Sequence, residues 1–247
     1  MPDTESGERA IAGAAIWEEA GRSLVSAEQY VLARQFLERA ARDRPGARLD
    51  LAIALLHTEG PAAALKVIDE VPQDVRAGDF LLLKARILGS AGRRQEADQL
   101  LMQGAGQKAV RPEVAAQAAM VLLRDGRKEA LDLVERSIAS APDHSDLLLT
   151  RAIVLALTNQ SEASEKQLRE VESRWPEWDR PYLVHGLLLE HSQRKGEAMQ
   201  KVKIAVALGS QEAAAKCAIA RLTAAPGPDR RCACLAGLRE FLFAKCD

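Results

Sequence analysis

Four histidines and four cysteines are the residues of this chain best suited to metal or nucleophilic chemistry. The histidines stand at 57, 144, 185 and 191. No two of them are four apart, and none ends a Glu-x-x-His run, the spacings that bring ligands onto one helix face. His185 and His191 are six apart and fall off a common face, so all four are expected as solvated or edge side chains. Cys232, Cys234 and Cys246 cluster near the end of the chain and could be read as metal ligands or as a disulfide. A zinc site wants four ligands, usually from Cys-x2-Cys pairs, and here there are three thiols with no histidine nearby. Leu235, Leu238, Phe241 and Leu242 lie on one helical stripe. A helix over 235–244 would hold the Cα atoms of Cys234 and Cys246 roughly 18 Å apart, where a disulfide needs about 7 Å. The expectation is therefore a helical tail with reduced thiols. There is no Gly-rich phosphate loop and no nucleophile elbow, and context singles out no carboxylate pair. Asp and Glu are read as solvated helix positions. No catalytic residue, cofactor site or metal site is expected, and the chain is not expected to be an enzyme.

The elements that would position any site are amphipathic helices. In Ile16 to Pro45, Trp17, Ala20, Gly21 and Leu24 fall on one stripe, and Ala33, Phe36, Leu37 and Ala40 on another. Gly21 and Ala33 are small enough to let two helices approach closely, and Pro45 stops the second. The pattern returns along the chain. The small residue of each first helix falls at 21, 52, 85, 118, 152 and 186, in steps of 31, 33, 33, 34 and 34. Turns are expected at Glu59-Gly60-Pro61, Ala91-Gly92, Asp125-Gly126 and Asn159. Val71-Pro72 should end its helix early.

Trp17-x2-Ala20-Gly21-x2-Leu24, then Ala33-x3-Leu37, then Pro45, resembles the tetratricopeptide repeat, W-x2-L-G-x2-Y…A-x3-F…P. Only the first unit keeps the Trp, and Pro closes units one, four and five. The resemblance implies an all-α fold, an α-solenoid winding as a right-handed superhelix of helix-turn-helix repeats with a capping helix. The repeats are placed near 14–44, 45–76, 78–110, 111–144, 145–178 and 179–210, within a repeat region of 11–224. Residues 1–10 are expected to be disordered, 211–224 to form the cap, and 225–247 to be a linker plus a C-terminal segment containing Cys and Phe.

In such arrays the first helices line an inner groove, and the residues one place after the pattern's Trp and small positions point into it. Here those are Glu18 and Arg22, Leu49 and Ile53, Leu82 and Arg86, Ala115 and Ala119, Leu149 and Ile153, Leu183 and Leu187. Relatives that grip a C-terminal carboxylate use Lys and Asn or Arg at such places, which Glu18, Leu49 and Ile53 do not match. A mostly apolar groove implies a protein-interaction scaffold that takes a helical or extended peptide. Two alternatives stand beside it: an assembly module whose C-terminal segment docks in its own or a partner's groove, and a thiol-based redox protein.

Composition bounds the rest. Apolar residues make up 47% of the 247, but aromatics only 4%, so the core must be built largely from Ala and Leu. With 34 basic and 35 acidic residues the net charge is -1, which gives no drive toward nucleic acid or an anionic membrane. No stretch reaches the roughly 18–20 apolar residues of a membrane span. The start, MPDTESGERA, lacks the pattern of a signal peptide, so a cytoplasmic protein is expected.

Overall fold

The computed structural model describes residues 4–73, 79–107, 110–210, 213–223 and 242–243, with side chains from Gly13 onward. Thirteen helices and no strand occur among the described residues. They group into two compact units, Met1–Ala109 and Val110–Asp247.

The first unit holds α1 (Thr4–Ser26), α2 (Tyr30–Asp43), α3 (Ala47–Thr58), α4 (Pro61–Asp69), α5 (Phe80–Ser90) and α6 (Arg94–Ala105). They pack as three consecutive hairpins, with α2 against α3, α4 against α5, and the first helices α1, α3 and α5 touching in turn. The second unit holds α7 (Pro112–Arg124), α8 (Glu129–Ser140), α9 (Ser145–Leu157), α10 (Ser161–Arg174), α11 (Asp179–His191), α12 (Lys195–Ala207) and α13 (Ala213–Leu222). Three hairpins again follow in order, and α13 closes on α11 and α12. The expected all-α class of helix-turn-helix repeats is what forms.

Close approach at small residues builds each hairpin. Gly21, Ala52, Ala85, Ala118, Ala152 and Gly186 are all buried, and so are their counterparts Ala33, Ala64, Ala97, Ala130, Ser164 and Ala198 on the second helices. The one hydroxyl in this set is satisfied, since Ser164 Oγ donates to the Ala152 carbonyl at 2.8 Å. A Cβ added at Gly21 would stand 2.5 Å from Cγ and 2.6 Å from Cδ2 of the fully buried Leu37. Gly21→Ala should therefore cost about 1–2 kcal/mol, as overpacking does when a side chain rather than backbone must give. Thermal denaturation checks this, and an unchanged Tm would mean a looser α1–α2 crossing.

The turn inside every hairpin passes through a left-handed residue: Glu28, Gly60, Gly92, Gly126, Asn159 and Gln193, with φ between 58° and 92°. Four of these are Gly or Asn, the residues that take this conformation most readily. Pro61 then starts α4, and the helix stops after 9 residues, short as the Val71-Pro72 pair foretold.

Two expectations need correction. Of the segment taken as disordered, residues from Thr4 onward are helical and continuous with α1. Glu5 and Glu8 near its start favour the helix dipole, and Ala10, Ile11 and Ala12 continue the run. The second concerns sulfur. Cys217, 5% exposed on the packed face of α13, is disulfide-bonded to a partner outside the described residues. A fully reduced chain is thus not what is observed. The expected helix over 235–244, and Cys232, Cys234 and Cys246, lie outside the described residues, apart from Leu242 and Phe243, which are helical and half-buried.

Candidate functional site

The twelve expected groove residues divide by unit. Ala115, Ala119, Leu149, Ile153, Leu183 and Leu187 are all buried, none more than 3% exposed, and offer no surface to a partner. The cause is composition: α9 and α11 are apolar on nearly every side, and helices of that kind are wrapped by their neighbours. The six residues in the first unit behave differently. Leu49, Ile53 and Leu82 are half-buried, Arg22 and Arg86 exposed, and Glu18 buried.

This face of α1, α3 and α5 has an electrostatic gradient. At the α1 side, Glu18 accepts from Arg22 at 2.8 Å and also from Arg44. Arg22 reaches Asp50 as well, at 3.2 Å, and Glu19 at 3.5 Å. Burial pushes the Asp50 carboxyl up, and Arg22 offsets only part of that. The field of Asp50 raises the Arg22 guanidinium in turn, so this cluster is closed on itself. In the middle, Leu49, Ile53 and the neighbouring Leu56 form a half-exposed apolar stripe on α3, continued by Leu81 and Leu82 on α5. At the α5 side, the Arg86 guanidinium lies 3.3 Å from His57 Nε2. The His57 ring is stacked on Tyr30, with centroids 4.0 Å apart and planes 4° from parallel.

A second polar cluster was not legible as such in the sequence. His185, expected to be solvated, is 2% exposed and bonded through Nδ1 to Glu172 Oε1 at 2.8 Å. A carboxylate only accepts, so Nδ1 carries the proton. Lys201 donates to the other Glu172 oxygen, and its ammonium lies 5.4 Å from the centre of the Tyr182 ring. Burial pushes the Glu172 carboxyl up, but hydrogen bonds from His185 and Lys201 outweigh it and hold the group below the usual carboxylate range. One signal was available: His185 interrupts an otherwise apolar run from Leu183 to Leu189, where an imidazole needs a partner. The network ties α10, α11 and α12 together. Its groups are spent on one another, which suits a structural role.

Other hollows are shallow. A depression of about 460 Å³ is lined by Glu135, Leu148, Arg151 and Gln167 among others. Its cation is occupied, because Arg151 donates to Gln167 at 2.8 Å and to Glu135 at 3.3 Å. Among the described residues no three His, Cys, Asp or Glu stand together as a metal site, and no helix is long and apolar enough to cross a membrane.

No protein-family model matches the chain, and no curated protein does. Solved structures do. A chain of the APC/C hetero-tetramer Cut9-Hcn1 aligns over 85% of this chain with a TM-score of 0.67 and 12% identity. The present chain spans only 42% of that one's length. A tetratricopeptide repeat protein from Parabacteroides merdae aligns over 86% of this chain and 99% of its own, at a TM-score of 0.51 and 13% identity. The C-terminal part of a TPR repeat-containing protein from Cytophaga hutchinsonii covers 77% and 78%, at 0.52 and 13%. At such identities the likeness speaks to fold alone, and it agrees with the repeated small-residue crossings and left-handed turns: the chain has a tetratricopeptide-like helical-repeat fold.

Proposed function

We propose that this protein is an interaction scaffold that binds a helical or extended segment of another protein on the α1–α3–α5 face of its first unit. One observation carries the reading. Leu49, Ile53, Leu56, Leu81 and Leu82 remain half-exposed there, whereas Leu149, Ile153, Leu183 and Leu187, at the corresponding places in the second unit, are buried. A contiguous apolar stripe rimmed by charged groups is the pattern of a surface awaiting a partner. The Cut9-Hcn1 neighbour is itself part of a hetero-tetramer, a setting this reading would share. The near-neutral charge favours a protein over nucleic acid or an anionic membrane.

Selection from a displayed library of random short peptides tests the proposal. Peptides enriched on the full chain should lose at least about tenfold in affinity for the Leu49→Glu, Ile53→Glu double variant, since two charges then face the ligand's apolar side chains. Helicity by circular dichroism should not change. Equal binding by the variant would contradict the proposal.

A further inference from the structure

We propose that this protein pairs with a second copy of itself through the open end of its first hairpin, the two α1 helices lying antiparallel about a two-fold axis at Ala20. This surface lies on the side of α1 away from α3, and it is separate from the α1–α3–α5 face.

Within each unit, a first helix that follows another hairpin has one side covered by that hairpin's second helix: α2 covers α3, α4 covers α5, α8 covers α9 and α10 covers α11. The residue five places before the small residue belongs to the covered side. On these helices it is Ala47, Phe80, Leu147 and Pro181, all buried. The residue three places after the small one is Leu55, Leu88, Leu155 and Leu189, again all buried. On α1 the same two places hold Ile16, 68% exposed, and Leu24, half-exposed. Ala20 lies between them, so residues 16, 20 and 24 make one stripe along the helix. On α2, Tyr30 stacks on His57 and Arg34 pairs with Glu59, which turns that edge toward α3. Leu32 and Phe36 lie on the opposite edge, Leu32 44% exposed and Phe36 packed on Trp17 with ring centroids 5.4 Å apart. An apolar end built like the repeat-to-repeat contacts inside this chain is thus left open.

Three observations favour a second copy as its occupant. The stripe is large, small, large, and it reads the same from either end. Antiparallel pairing sets Ile16 against Leu24 of the partner subunit and brings the helices closest at the two Ala20 residues, where a small side chain allows it. A preceding hairpin of the same chain would have to be joined differently from the others. Only residues 44–46 separate α2 from α3, and α3 starts five residues before Ala52. Counted from Thr4 to Gly21, α1 starts seventeen residues before its small residue, so helix already fills the place of such a connection. Head-to-tail stacking is disfavoured as well, because α13 packs over the last hairpin. One open end meeting its own copy gives a closed dimer.

Sedimentation equilibrium of the full chain tests this. At about 100 μM the protein should sediment as a dimer, with twice the 26.8 kDa of one chain. Ile16→Glu and Leu32→Glu should each raise the dissociation constant at least about tenfold, because a charge is then buried against the partner's apolar end. Both side chains are exposed in the single chain, so circular dichroism should not change. Mild oxidation of the Ala20→Cys chain should join two copies through position 20, read by mass spectrometry of the linked fragments. Lys66→Cys, exposed on α4, should give no such link. A chain that stays monomeric, a dimer untouched by both glutamates, or open-ended oligomers would overturn the proposal. So would a dimer without the link at position 20, or equal linking through position 66.

Discussion

Gly186→Leu should remove about 3 kcal/mol or more from the stability of the second unit, at the upper end of what overpacking costs. A Cβ alone at this position would stand 2.6 Å from Val202 Cγ2 and 3.3 Å from both the Val202 amide nitrogen and the Ala198 carbonyl oxygen. The first contact could be relieved by moving a methyl group. The other two are with the backbone of α12, which can give way only if the whole helix retreats. Retreat would pull apart Leu187, Leu189, Val202 and Ala205, all buried. Val202→Ala combined with Gly186→Ala should recover part of the loss of Gly186→Ala alone, because the two side chains claim the same space. Urea denaturation of the four proteins measures this, and a stable Gly186→Leu chain would mean that α11 and α12 do not cross as described.

The second large effect is expected at Glu172. Glu172→Ala leaves the buried His185 donor without its acceptor and Lys201 without its counter-charge. The cost should be about 2–4 kcal/mol, below the full penalty of a broken buried pair because the partly exposed Lys201 can turn to water. The network also makes stability pH-dependent. The folded carboxyl is held below its usual range, so its contribution is complete above the unfolded value of about 4.3 and is lost as pH falls through the lower folded value. Glu172→Gln should flatten that acid limb. If the Glu172→Gln variant keeps the same slope between neutral and strongly acidic pH, the acid lability lies elsewhere.

Different parts of this molecule were legible in the sequence for different physical reasons. Helix crossings were visible because a close approach demands a small side chain on both partners, and that demand recurs at every hairpin from Gly21 and Ala33 to Gly186 and Ala198. The left-handed turns were visible at Gly60, Gly92, Gly126 and Asn159 but silent at Glu28 and Gln193, where the chain takes the same conformation with ordinary residues. Exposure was the hardest property to read. Leu49 and Leu149 have the same type and the same repeat position, yet one is half-open and the other buried, because burial depends on how many neighbours wrap the helix. Pairings across helices were equally hidden. Glu172 and His185 meet over a separation of 13 residues, and Arg86 and His57 over 29, with no local pattern to announce either.

The most direct test of the interaction face is methyl NMR of the full chain with Leu and Ile labelled, titrated with a peptide selected on it. The methyl signals of Leu49, Ile53, Leu56 and Leu82 should shift or broaden in proportion to bound peptide, while those of the buried Leu149, Ile153, Leu183 and Leu187 stay in place. Shifts confined to the second unit, with Leu49 and Ile53 unmoved at saturation, would contradict the account.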